Sequence, residues 1–161
     1  MGITTGYSDG TYHPGSPISR DAMAAFLYRA AGWPGFEAPG TPTFADVPPS
    51  HPFYTEIEWL AAEGITTGTR LGDGTLVFAP AEPISRRAMA AFLFRMSEAE
   101  APAGDGAPFT DVPAGAAFVD AIRWMKQTGI STGNPDGTYR PANPIARDAM
   151  AAFLHRSYGI A

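Results

Sequence analysis

The sequence predicts an all-α fold, helical repeats joined by short hairpin loops around a pseudo-threefold axis, and three observations carry that prediction. The segment PISRDAMAAFLYR at 17–29 returns as PISRRAMAAFLFR at 83–95 and as PIARDAMAAFLHR at 144–156. Each copy follows a matching loop, GITTG at 2–6 and 64–68 and GISTG at 129–133. Spacings of roughly 60 to 66 residues mark internal repeats that pack on one another. Within each copy the apolar residues recur at helical spacing.

In the first copy Ser19 stands at the N-cap, with its hydroxyl expected to accept from a backbone N–H two or three residues on. Ala22, Met23, Phe26, Leu27 and Ala30 form an apolar stripe bordered by alanines. Met89, Phe92 and Leu93, then Met150, Phe153 and Leu154, repeat it. Three equivalent helices beginning near Arg20, Arg86 and Arg147 are therefore expected to meet around an approximate threefold axis.

A second signature reads Phe44, Asp46, Val47, Pro48, Phe53, Ile57 and Trp59, and recurs as Phe109, Asp111, Val112, Pro113, Phe118, Ile122 and Trp124. This FxDV segment predicts a helix from about His51 or Pro52, with Phe53, Ile57, Leu60 and Ala61 on one stripe. Phe118, Ile122, Met125 and Lys126 fill the same slots in the last unit. Trp59 and Trp124 lie at the stripe's edge, where an indole N–H reaches a partner or solvent.

Between the helices come Asp-Gly turns at 7–14, 69–80 and 134–141, a strong hairpin signal. The middle loop carries two extra residues on each side of Asp73-Gly74, which lengthens a hairpin without turning its side chains over. Tyr12, Phe78 and Tyr139 are thus expected to face alike. Linkers over 31–43 and 97–108 are the segments expected to be most mobile.

A full unit reads FxDV, helix, GIxTG, turn, PISR helix. The expected organisation is a single domain over 1–161, with a partial first repeat at 1–33, a second at 44–96 and a third at 109–156. The first unit lacks its FxDV half. An exposed apolar patch is therefore expected near Met23, Phe26 and Tyr28, to be filled by Trp33 and Phe36 of the following linker or by self-association.

The formal net charge of −5 argues against a general nucleic-acid grip. With no cysteine, disulfides and thiolate zinc sites are excluded. No apolar run is long enough to span a membrane, and the N-terminus lacks the regions of a signal peptide, so an export signal is expected upstream if the parent protein is exported. His13, His51 and His155 are isolated, and no catalytic motif or repeated carboxylate pair appears; no enzyme activity, metal or cofactor is expected. The Asp-Gly loops lack the ligand pattern of a calcium loop.

Arginine at a helix start opposes the macrodipole by roughly 0.3 to 1 kcal/mol. Three repeats of that cost call for a compensating anion. One candidate is internal, Asp21, Asp46, Asp111 or Asp148. The other is an external carboxylate or acidic sugar held by the arginine and free helix-start N–H groups.

The ordered set FADVP, HPFYTEIEWLAAEGITTG, DGT and PISRRAMAAFLFR closely resembles the S-layer homology family, over nearly the whole chain. The resemblance implies a three-unit spindle with grooves between units, exported and anchored non-covalently to an acidic secondary cell-wall polysaccharide, often one carrying pyruvate ketals. The family's Thr-Arg-Ala-Glu motif falls on Ser19-Arg20-Asp21-Ala22, Ser85-Arg86-Arg87-Ala88 and Ala146-Arg147-Asp148-Ala149. The Arg is kept in all three; the Glu, which would complete a capping box, is Ala in all three, and Ala146 also loses the capping hydroxyl. On this reading Arg20, Arg86 and Arg147 recognise the anion and backbone N–H groups near Gly6, Gly68 and Gly133 line the grooves. Trp59 and Trp124 are either sugar platforms or core-edge packing. The partner is then a cell-wall polysaccharide at the cell surface. The alternative is a structural module assembling with itself or another surface protein.

Overall fold

The structure, a computed structural model, describes residues 6–158. Gly2–Thr5 of the first GITTG loop lie outside the described residues. The chain divides into two compact units, one ending at Pro83 and the other starting at Ile84. About a third of the described residues are helical. The rest is mostly loop with one two-stranded sheet, which corrects the all-α expectation to a mixed, mostly helical and loop fold. The Gly- and Pro-rich linkers account for the loop content.

The first unit contains α1 (Arg20–Ala30), α2 (Tyr54–Ala62) and the antiparallel pair β1 (Thr69–Arg70) and β2 (Leu76–Val77). Thr69 lies opposite Val77 and Arg70 opposite Leu76. The four extra residues of the middle loop are what permit this ladder. The second unit contains α3 (Arg86–Met96), α4 (Val119–Gln127) and α5 (Arg147–Ser157). The three PISR helices thus start at the three arginines, as the repeat pattern predicts.

Helix pairing departs from the expected units. In the first unit α1 packs on α2, and in the second α3 packs on α4. Each of these PISR helices therefore pairs with the FxDV helix that follows it in the chain. Tyr28 meets Trp59 edge-on at 5.4 Å between centroids, and Phe94 meets Trp124 at 5.6 Å. Met23, Phe26 and Tyr28 are buried. The exposed patch expected there is absent because α2 covers it. Trp33 touches the edge of Tyr28 but stays 56% exposed, so it fills no groove.

Both FxDV helices start later than expected, after Phe53 and Phe118. Their linkers are fastened from the helix side. Thr43 donates through its N–H and hydroxyl to the buried Glu58, at 2.9 and 2.6 Å. Tyr54 donates to Pro39 O at 2.7 Å. In the second unit the buried Arg123 takes over the slot of Glu58, donating to Gly106 O at 3.0 Å and to Asp120.

Ahead of each FxDV helix a tight turn buries Phe44 and Val47, or Phe109 and Val112. The rings of Phe44 and Phe109 lie against Phe78 and Tyr139, 5.4 and 5.3 Å away. Phe78 and Tyr139 are both buried and face alike, as the even insertion requires. The loop glycines make this approach possible. A Cβ on Gly68 would lie 2.5 Å from Phe44, and one on Gly133 would lie 2.3 Å from Phe109; both residues also have left-handed φ.

The three Asp-Gly turns close identically. Gly10, Gly74 and Gly137 donate back to Tyr7, Leu71 and Asn134. Asp9, Asp73 and Asp136 each accept from the backbone N–H of the threonine two residues on. These carboxylates are thereby engaged as turn acceptors.

Two outcomes follow. Gly133→Ala should destabilise by roughly 2–5 kcal/mol, combining a left-handed penalty of about 1–2 with overpacking of about 1–3. Gly129→Ala, with left-handed φ but open space around its Cβ, should cost only the first of these. Urea denaturation of the two variants measures the difference. Separately, hydrogen bonds from the Thr138 hydroxyl and N–H, with help from Arg140, hold the Asp136 carboxyl down at about 2 from an ordinary 3.8. Its contribution to stability is present above the ordinary value and is lost as pH falls through about 2. NMR titration should show this, and Thr138→Val should move the midpoint back toward 3.8.

Candidate functional site at the helix starts

Each FxDV segment places one carboxylate on the exit of its hairpin. Asp46 accepts from the N–H of Phe78 at 2.8 Å and of Ala79 at 2.7 Å. Asp111 accepts from Tyr139 and Arg140, both at 2.7 Å. The second residue of each pair is in the left-handed region, Ala79 at φ 58° and Arg140 at φ 57°. Such a conformation costs an L-residue about 1–2 kcal/mol. Charge-assisted bonds to two consecutive amides offset it.

That turn points the next carbonyls at the preceding PISR helix. Arg20 N–H donates to Glu82 O and Asp21 N–H to Pro80 O, at 2.9 and 3.0 Å. Arg86 and Arg87 donate likewise to Asn143 O and Pro141 O, at 2.9 and 3.0 Å. The first two amides of α1 and α3 are therefore engaged, which corrects the expectation that they are free to hold an anion. The third is satisfied in two ways. Ala22 and Ala149 donate to Asp21 and Asp148, at 2.6 Å each, while in α3, where Arg87 replaces Asp, Ala88 donates to Ser85 Oγ at 3.3 Å. Ser19 is no N-cap acceptor; its hydroxyl donates to Asp21. Asp148 likewise satisfies the third amide of α5, where Ala146 lacks a hydroxyl.

The arginines follow the same rule. Arg20 Nε donates to Phe78 O at 2.6 Å, with the guanidinium over the Phe78 ring at 4.6 Å. Arg86 Nε donates to Tyr139 O at 2.7 Å, over the Tyr139 ring at 4.7 Å and that of Phe153 at 5.6 Å. Tyr139 returns a hydrogen bond from its hydroxyl to Arg86 O at 3.0 Å. A carbonyl dipole and an aromatic face thus supply negative potential where a carboxylate was expected. Burial pulls Arg20 below its ordinary pKa while Asp46 pushes it back up. Burial pushes the Tyr139 phenol up, partly countered by Arg86. Asp21 faces the imidazole Nε2 of His51 at 3.7 Å.

Arg20 and Arg86 are half-buried, and Arg87, which follows Arg86 in the chain, is exposed. Arg147 is 8% exposed. Gly68 and Gly133 donate to their own loops' Thr66 and Ser131 hydroxyls at 3.3 and 3.4 Å. At Gly6, with left-handed φ, a Cβ would lie 2.8 Å from Thr11 O. Trp59 and Trp124 are 6% and 7% exposed and pack against Tyr28 and Phe94 in the helix pairs. Sequence reasoning missed the hairpin carbonyls and the Phe78 and Tyr139 rings. The recurrence of an aromatic residue five positions before the proline of each PIS or PIA segment, Tyr12, Phe78 and Tyr139, was the available signal.

Asp111→Asn should destabilise the protein by about 1.5–3 kcal/mol, because the amide cannot accept from both backbone donors. Thermal unfolding of this variant beside wild type checks it.

The S-layer homology domain matches residues 1–24, 43–90 and 108–151. No curated protein matches the chain. The matched segments make up most of the sequence and contain the FxDV turns, the GIxTG loops and the PISR helix starts whose interlock is described above. The chain therefore belongs to the S-layer homology domain family, whose domains are repeat modules that anchor proteins at the cell wall.

Proposed function

We propose that this module binds an acidic secondary cell-wall polysaccharide, including a pyruvylated one, through the arginines that open its PISR helices. The observation that carries this reading is the posture of Arg86. Its Nε is fixed on Tyr139 O and its face is covered by aromatic rings, while its Nη groups make no hydrogen bond among the described residues. A guanidinium held in this way presents a preorganised edge to a carboxylate. Exposed Arg87 makes the surroundings of this helix start the most cationic of the three.

Arg20 has the same Nε and ring geometry and is proposed as a second contact. Arg147 is proposed as a lesser one, because it is more deeply buried. The loops at Gly6, Gly68 and Gly133 would then shape the approach to these edges, with Trp59 and Trp124 supporting the helix pairs behind them. The single-domain, pseudo-threefold architecture of the family belongs to the same proposal. Anchoring of this kind places the parent protein at the cell surface. No helix among the described residues is long and apolar enough to cross a membrane.

The test is a binding isotherm to purified wall polymer. Arg86→Ala should weaken binding more than tenfold, corresponding to a charge-assisted contact of about 1.5–3 kcal/mol. Arg86→Lys, which keeps the charge but not the planar fork, should also weaken it. Chemical removal of acidic substituents from the polymer should abolish the difference between variants. If Arg20→Ala, Arg86→Ala and Arg147→Ala all fold and bind like the parent, the arginines are structural and the reading is wrong.

A further inference from the structure

The two FxDV helices differ where the chain enters them. The entry turns correspond, since Tyr54 N–H donates to His51 O and Val119 N–H to Ala116 O. In the first unit the His51 imidazole closes this turn. Its Nδ1 accepts from Phe53 N–H at 3.1 Å, its ring lies 6.3 Å from that of Phe53, and Phe53 is half-buried at φ −114°. The second unit has Ala116, Val119 and Ala121 where the first has His51, Tyr54 and Glu56. Around these shorter side chains a cavity of about 280 Å³ lies between the end of α3 and the start of α4.

The cavity combines an aromatic ring with one cation and one carboxylate. Phe118 is held at φ 62°, a left-handed conformation that bulky residues rarely adopt, and is 42% exposed. Burial in the core therefore does not compensate its strain, and strain of this kind gathers at ligand sites. The Arg95 guanidinium lies over the Phe118 ring at 5.8 Å, and Phe94 lines the cavity from α3. Asp120, also in the lining, accepts from Arg123 through Oδ1 alone, and its side chain is 56% exposed.

We propose that this cavity is a subsite for an uncharged sugar unit of the wall polymer, a role that takes from the preceding reading only the identity of the polymer. A pyranose presents a face of C–H groups and an edge of adjacent hydroxyls. The face matches the Phe118 ring. Hydroxyls both donate and accept, so the edge matches the donor-only guanidinium of Arg95 and the acceptor-only carboxylate of Asp120. An anionic unit is disfavoured by Asp120, and a purely apolar group would desolvate both charges without pairing them. Arg86 and Arg95 are nine residues apart on α3, about 14 Å along its axis. The anion contact and the sugar subsite are thus separate places on one helix.

The experiment titrates the full chain with wall polymer freed chemically of its acidic substituents and cut to short neutral oligosaccharides. Amide NMR shifts should concentrate at 91–95 and 116–121. Phe118→Ala should weaken binding more than tenfold, and Phe118→Trp should retain it; the ring is exposed, so the fold tolerates both. Ala116→His, which supplies the imidazole found at this place in the first unit, should also weaken binding more than tenfold with Phe118 still present. No shift at these positions, or equal binding by the parent, Phe118→Ala and Ala116→His, overturns the inference. Intact polymer whose binding falls in Arg86→Ala but not in Phe118→Ala would leave the anion contact standing and remove this subsite. A short uncharged peptide of Leu and Phe that shifts the same amides at lower concentration than the oligosaccharides also overturns it, since the cavity is then a protein contact.

Discussion

The structure depends on a carboxylate with two amides. Asp46 and Asp111 each hold consecutive N–H groups at a hairpin exit, which keeps Ala79 and Arg140 in the left-handed region. The turn so formed aims one carbonyl at an arginine Nε and two more at the first amides of a PISR helix. If the carboxylate is removed, the left-handed residue has no compensation, the carbonyls lose their direction, and the preceding helix loses its N-terminal partners. One side chain thus sets the hairpin exit, the helix start and the guanidinium posture together. This explains why Asp is repeated at a position remote in sequence from the helix it serves.

The copies meet the same requirements with different chemistry. The third amide of a PISR helix is satisfied by Asp one position before it in α1 and α5, and by the serine hydroxyl in α3, where that Asp is Arg87. The linker is fastened by an anion, Glu58, in the first unit and by a cation, Arg123, in the second. An acceptor meets backbone and hydroxyl donors in one case; a donor meets a backbone carbonyl in the other. What repeats is a satisfied polar group beneath a linker, because a buried unsatisfied one costs about 1–3 kcal/mol. The middle copy alone gathers two adjacent arginines at its helix start, so the change that altered its cap also raised its positive potential.

Periodicity determined much of this protein by itself. The three helix starts at Arg20, Arg86 and Arg147, the facing of Phe78 and Tyr139, and the turns at Asp-Gly are all local consequences of spacing and of which residues tolerate positive φ. The family was legible for the same reason, since its signature is an ordered set of local motifs. Pairing was decided by the tertiary structure. Sequence order groups each FxDV helix with the PISR helix downstream of it, yet packing joins it to the one upstream, which sets Tyr28 against Trp59 and Phe94 against Trp124. The fate of the arginines was decided there too. A guanidinium at a helix start announces that it needs negative potential, but a carbonyl dipole and an aromatic face leave no charge in the sequence, and only the fold brings Phe78 and Tyr139 to them from more than fifty residues away.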